Sequence, residues 1–251
     1  MNDDLLKQMR SEAELIFRSS LEAVDPYQAV KRFVRVENDT LFLGLQNNEK
    51  IELDLAKYDR VLVVGGGKAT ASMARAIEEI LEQRISKGII NVKYGFTEDL
   101  ALTEIFEAGH PVPDKEGVEG TKSILELLKG AGERDLIFSL ISGGGSALLV
   151  QPAGNITLPE KQKLTRMLLN CGASIDEINA LRKHISSSKG GQMARAAYPA
   201  TIINLMLSDV VGDNIDVIAS GPFTPDRSTF SDAWAVLKKY DLASDVPASI
   251  H

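Results

Sequence analysis

Two glycine-rich segments carry the plainest chemistry in this 251-residue chain. Gly65-Gly66-Gly67-Lys68 follows the apolar run Val61-Leu62-Val63-Val64, and Ser142-Gly143-Gly144-Gly145-Ser146 follows Leu136-Ile137-Phe138-Ser139-Leu140-Ile141. Glycines at a strand-to-helix junction let the backbone turn sharply and leave amide N–H groups free to face an anion. Lys68 sets a compact positive charge beside the first segment, and Ser142 and Ser146 add hydroxyl donors to the second, as in an anion nest. The plainer reading of the first is a tight turn with a surface lysine. For the second it is a flexible linker, which the apolar Leu148-Leu149-Val150 immediately downstream argues against.

Named motifs fail residue by residue. A P-loop needs glycine at 62 and Ser or Thr at 69, where Leu62 and Ala69 stand. A dinucleotide fingerprint needs a small residue where Thr70 stands and an acid at the end of the next strand, near Gly95. A serine-hydrolase elbow would require glycine at Leu148.

Further charge lies downstream. Arg182, Lys183, His184 and Lys189 precede or enter the loop Ser186-Ser187-Ser188-Lys189-Gly190-Gly191. Arginine suits bidentate binding of carboxylate or phosphate, whereas Lys183 reads as an exterior residue. Ser208, Asp209 and Asp213 follow an apolar run and could hold Mg²⁺ alongside substrate phosphates, with an aspartate-capped turn as the alternative. His110, in Gly109-His110-Pro111-Val112-Pro113-Asp114, reads as a candidate to line a cleft, while His184 reads as structural. No Cys/His pattern fits zinc.

The elements that must position these residues follow from periodicity. Residues 3–24 read as an amphipathic helix with Leu5, Met9, Ile16, Phe17, Leu21 and Val24 on one stripe, and Pro26 opens a second helix. Residues 33–53, with Asn47-Asn48 among their turns, read as a small antiparallel excursion. Short buried strands at 60–64, 89–94, 103–106, 136–141 and 201–207 then alternate with helices that include 115–129 and 193–197. Capping boxes at Thr157/Glu160 and Ser174/Glu177 open two helices. Cys171 lies at helical spacing from Leu164 and Leu168 and reads as core, and Ser231 reads as the cap of a last helix. The class is Rossmann-like, a three-layer α/β/α fold with a mostly parallel sheet, in which ligands sit at the carboxyl ends of the strands. Residues 1–251 read as one α/β domain.

Composition is that of an ordinary globular domain, 44% hydrophobic and 25% charged. A net charge of −7 gives no bulk attraction for nucleic acid or anionic membrane, so any anion must be caught by local design. With no apolar stretch long enough to span a bilayer, no leader at Met1-Asn2-Asp3-Asp4 and a single cysteine, the chain reads as cytoplasmic.

Taken in order, Gly-Gly-Gly-Lys-Ala at 65–69, His-Pro-Val-Pro-Asp at 110–114 and Ser-Gly-Gly-Gly-Ser-Ala-Leu at 142–148 form a recognisable succession. Arg-Lys-His-Ile-Ser at 182–186, Lys-Gly-Gly at 189–191, Leu-Ser-Asp-Val-Val-Gly-Asp at 207–213 and Ile-Ala-Ser-Gly-Pro at 218–222 continue it. The succession resembles the N-terminal domain of the glycerate 2-kinase family, two-domain enzymes that use ATP. The resemblance implies transfer of the γ-phosphoryl group to D-glycerate, giving 2-phosphoglycerate, with Mg²⁺, in a cleft between two domains. It matches Lys68 to the family's catalytic lysine. On that reading Lys68 and the 65–67 amides stabilise the migrating charge, and the 142–146 loop holds a phosphate or the glycerate carboxylate. Arg182 and Lys189 neutralise further charge, and Asp209 or Asp213 holds Mg²⁺. The family's C-terminal domain is expected to be absent from these 251 residues, leaving an apolar docking surface that a homodimer would be one way to cover. An NAD(P)H-dependent hydroxypyruvate reductase and a non-catalytic ligand-binding fragment are the alternatives.

Overall fold

The computed structural model describes residues 3–44 and 50–251; the expected turn at Asn47-Asn48 and the terminal Met1-Asn2 lie outside them. Five strands form the central sheet: β4 (Arg60–Gly66), β5 (Ile85–Lys93), β6 (Thr103–Ala108), β7 (Asp135–Ile141) and β8 (Thr201–Met206). All their pairings are parallel, in the spatial order β6-β5-β4-β7-β8. Counted along the chain this is 3-2-1-4-5, the doubly wound order, whose reversal falls between β4 and β7. The two glycine segments leave the carboxyl ends of those two strands. The antiparallel excursion is β1 (Val34–Glu37), β2 (Thr40–Gly44) and β3 (Lys50–Asp54).

Alternation along β4 divides the core, as a period of two requires. Val61 and Val63 face α2 (Pro26–Phe33), α3 (Thr70–Leu81) and the small sheet. Leu62 and Val64 face α4 (Lys115–Lys129) and α8 (Gln192–Ala197) on the opposite side. Beyond the single turn α5 (Gly145–Leu148), a third apolar cluster joins α6 (Leu158–Asn170), α7 (Ile175–His184) and α9 (Phe230–Lys239) beside the sheet. Both expected capping boxes are present, whereas α9 is capped by Thr229 with Asp232 and not by Ser231. Cys171 is the half-buried C-cap of α6, its Sγ donating to the Leu168 carbonyl, and not a core residue. The first helix, α1 (Asp3–Ala23), buries nothing, and Leu5, Met9, Ile16, Phe17 and Leu21 are all exposed. Among the described residues no helix is long and apolar enough to cross a membrane.

At the amino ends of the strands, Arg60 grips Asp135 through two hydrogen bonds of 2.8 and 2.6 Å, tying β4 to β7. At their carboxyl ends, a β-carbon on Gly65 would run into the Leu140 carbonyl oxygen of β7. Neither atom belongs to a flexible side-chain end, so Gly65→Ala is expected to cost about 3 kcal/mol or more. Gly95, with φ of +77° but open space around it, serves as the control, at about 1 kcal/mol. Urea midpoints of the two variants check this, and equal shifts would show that strand approach is not the constraint.

Candidate functional site

The β4 and β7 junctions are knitted to each other. The Lys68 amide donates to Gly143 O at 2.9 Å, the Ala69 amide to Ser142 Oγ at 3.0 Å and the Gly67 amide to Asn91 O at 3.1 Å. Thr70 Oγ1 donates to Leu140 O at 3.3 Å, and the Ser142 amide to Gly66 O at 3.4 Å. The amides after Gly66 are therefore engaged by protein, and the first segment presents no open nest. Gly65 and Gly66 instead allow close packing, Gly66 against Leu149. Ser142, 1% exposed, joins the two loops and does not face a ligand.

The second segment keeps part of the expected nest. Ser142 and Gly145 spend their amides internally, but those of Gly143, Gly144 and Ser146 hydrogen-bond no described residue. Gly144 has φ of +91°, a conformation that favours glycine. It sits between the aliphatic stem of Lys68, 3.4 Å from where a β-carbon would stand, and the ring of His110, 3.0 Å away. Asp209 lies against Gly143. Lys68, His110, Gly144 and Asp209 thus meet at one point of the rim. Burial lowers the pKa of His110, with Lys68 and Lys93 acting in the same direction and Asp209 opposing them, so the imidazole is neutral near pH 7.

From that point a cavity of about 370 Å³ opens between the rim and the α6–α7 cluster. His110, Gly144 and Ser146 lie at one side, and Lys161, Arg182 and Lys189 at the other. Ser146 Oγ is 2.9 Å from Ser220 Oγ, which donates to buried Asn179 at 3.1 Å and fixes that wall. Lys189 is 1% exposed and Lys161 5%. Their ammonium groups donate to the Leu149 and Ile185 carbonyls at 3.2 and 3.0 Å. Burial, then mutual repulsion with Lys161 and Arg182, holds Lys189 well below the usual lysine range. Burial, then Arg182, pushes Lys161 down to about 7. Among the described residues no carboxylate forms an ion pair with Lys161, Arg182 or Lys189.

Lys183, read from sequence as exterior, is 7% exposed and held by Asp216 at 2.9 Å and Asp226 at 3.4 Å. Its neighbour Arg182 turns to the cavity. His184 is structural as expected, its Nδ1 on the Ala180 carbonyl at 2.8 Å. Ser208 is spent on a local turn with Val210, and it lines a different groove together with Asp213, away from Lys68. Of the two aspartates only Asp209 reaches the rim. Lys161 escaped the sequence reading, although it precedes Leu164 and Leu168 by three and seven residues, on the buried stripe of α6.

A buried ammonium without a counter-charge is a stability cost that packing alone would not select. Lys189→Met keeps the volume, and Leu149 O retains the Ser188 hydroxyl at 2.8 Å. The variant is expected to unfold several degrees higher, about 1–2 kcal/mol more stable, while losing anion affinity. Thermal unfolding by circular dichroism, with and without phosphate, checks both.

Residues 12–251 match a family model described as a domain of unknown function, DUF4147. The chain is 46% identical over 228 residues to a D-glycerate 2-kinase of Thermotoga maritima and 42% identical over 231 residues to a glycerate 2-kinase of Pyrococcus horikoshii. These alignments cover 90% and 92% of this chain and 50% of each relative. A putative hydroxypyruvate reductase of Agrobacterium vitis is 44% identical over 190 residues, 76% of this chain and 43% of the relative. Among solved structures, a Thermotoga maritima glycerate kinase superposes with a TM-score of 0.83 at 42% identity, covering 97% of this chain and 54% of that one. A Pyrococcus horikoshii protein gives 0.86 at 41%, covering 96% and 53%. The chain spans about half the length of the curated relatives it matches. On the match over residues 12–251 the chain belongs to the DUF4147 family, and along nine-tenths of its own length it is similar to the two glycerate 2-kinases.

Proposed function

We propose that this domain supplies the phosphoryl-handling rim of an ATP-dependent D-glycerate 2-kinase. The observation that carries the reading is the set of cations lining one cavity, Lys161, Arg182 and Lys189, with no carboxylate paired to these three among the described residues and with Lys68 against Gly144 at the cavity's rim. Unpaired buried cations are explained by an anion that arrives as ligand. In the reaction the C2 hydroxyl oxygen of D-glycerate bonds to the γ-phosphorus, the bond from that phosphorus to the bridging oxygen breaks, and ADP leaves. Such transfer is carried largely by positioning and charge neutralisation.

Lys68 stands where charge on the migrating group would be met, with the free amides of Gly143 and Gly144 beside it. His110, neutral and against the same glycine, is placed to accept the hydroxyl proton. Asp209 is the residue that fits Mg²⁺, since that ion is commonly held by one or two carboxylates plus substrate phosphates. The ion would supply neutralisation of the phosphate oxygens. Asp213, in the other groove, does not fit that role. The strand end that bears the ribose-binding acid in dinucleotide folds is Lys93-Tyr94-Gly95 here, which favours the kinase reading over a reductase.

The rim is open on one side, and a water-poor cleft needs a second wall. We place that wall in the half of the relatives' length that this chain does not span. A coupled assay of ADP release with D-glycerate and Mg²⁺ is therefore expected to give little turnover for residues 1–251 alone. Robust glycerate-dependent turnover by this piece would overturn the two-walled cleft. In a protein of the relatives' full length, Lys68→Ala is expected to lower kcat about a hundredfold or more, the usual effect of removing a positioned donor. Activity within a few-fold of the parent, with folding intact, would remove Lys68 from the reaction.

A further inference from the structure

Lys161 lies in none of the sequence motifs, yet it closes the inner end of the cavity. An ammonium group offers three donors. Those of Lys161 and Lys189 each find one carbonyl acceptor among the described residues, Ile185 O and Leu149 O. The charged or titratable groups that face the cavity are Lys161 and Arg166 from α6, Arg182 from α7, Lys189 from the loop beyond it and His110 from the loop above. The segment 144–150 adds none. The carboxylates of the surrounding segments are turned elsewhere: Glu160 to Thr157, Glu177 to Lys239 and Tyr240, Asp226 and Asp216 to Lys183, and Asp114 to Tyr94 and the Gly117 amide.

We infer that Lys161, Arg182 and Lys189 form a proton-coupled subsite that takes a dianionic phosphoryl group together with protons drawn from solution. For the class of its ligand the inference rests on the phosphoryl-transfer reading. The geometry supplies the reason for the coupling. Three cations beside one another at one cavity, Lys161 and Lys189 buried, repel one another, and the empty site relieves this by releasing protons; Lys161 does so near pH 7. A phosphoryl dianion restores the charged form and satisfies the idle donors. A monoanionic carboxylate offers half that compensation, so the subsite discriminates between the two ends of a phosphoglycerate.

The sign follows directly. The pKa of Lys161 is higher in the complex than in the empty site, so affinity is full below about pH 7 and falls by up to tenfold per unit above it. A phosphate monoester loses its second proton near pH 6 and inorganic phosphate about a unit higher, and more dianion would raise affinity with pH, so a fall in affinity from about pH 7 to pH 9 reports on the lysines and not on the ligand.

Isothermal titration of residues 1–251 with inorganic phosphate, in buffers of different ionisation enthalpy, counts the protons. Uptake of about one proton or more per phosphate at pH 8 is expected, with affinity about tenfold lower at pH 8.5 than at pH 7.5. Lys161→Gln should lower both affinity and proton uptake. Lys161→Arg should keep affinity while losing about one proton of uptake, because guanidinium does not titrate in this range, a split that a merely structural role would not give. Competition of phosphate by 2-phosphoglycerate assigns the subsite to the acceptor's phosphoryl group, and competition by ATP assigns it to the nucleotide. D-glycerate should compete weakly. Phosphate binding without proton exchange in the parent, or no phosphate binding at pH 7, overturns the inference whether or not the variants fold. Because the readout is binding, its failure is distinct from a failure of glycerate turnover.

Discussion

The constraint on which the rest of this structure turns is the burial of Lys189. Taking an unpaired ammonium out of water costs several kcal/mol. A flexible loop would swing such a side chain back to solvent, so the backbone around it must be fixed more firmly than the charge is repelled. Here the Gly190, Gly191 and Met193 amides donate to Ser220 O, Gly221 O and Pro222 O at 3.0, 2.7 and 3.1 Å. Met193 and Ala197 of α8 then anchor the segment in the core under β7 and β8. Ser188 Oγ shares the Leu149 carbonyl with Lys189, which fixes the approach of the loop to the β7 side of the rim.

That rim depends in turn on how closely β4 and β7 approach. The strand order reverses between them, so no crossover helix fills the space above their carboxyl ends. The glycines of β4 let the two junctions interlock, and hydrogen bonds from Lys68, Ala69 and Ser142 hold one loop on the other. Asn91, at the corresponding level of β5, donates to Gly117 O and Leu148 O at 3.0 and 2.8 Å and ties the assembly to α4. The result is a division of labour: the first glycine segment is structural, and it presents Lys68 against a second segment whose amides are partly free.

What was legible in the sequence was local or periodic. The strand runs, the Pro26 helix start, the capping boxes at Thr157 and Ser174 and the helix over 115–129 each depend on residues close in the chain. The gathering of Lys68, Gly144 and Asp209 was also legible, because parallel strands put their carboxyl ends on one rim. Side-chain direction was not. Ser142 and Ser208 look alike as polar residues after a strand, but a backbone amide captures each hydroxyl, from Ala69 and from Val210. The stripe on α1 was read from periodicity, which reports that a helix has an apolar face and not what covers it. Lys161 stood on an apolar stripe in plain view. A single lysine there reads as one that snorkels to solvent, and only the packing of α6 on α7 denies it that exit.

Lys183 and Lys189 show two ways in which an acidic protein buries positive charge. Both are buried lysines near the end of α7. Lys183 meets Asp216 and Asp226, so its charge is spent inside the fold. Lys189 meets only a carbonyl among the described residues, so no carboxylate competes with a ligand for it. With a net charge of −7 the protein offers an incoming polyanion no long-range attraction, and at physiological salt charges beyond about 8 Å are screened in any case. Recognition must then be made at short range, by groups buried deeply enough that their charge is weakly screened. On the proposed reading, depth and not surface charge makes the cavity selective. The same depth explains why its lysines are poised to titrate: burial deep enough to favour an incoming anion is deep enough to strip the protons when no anion is there.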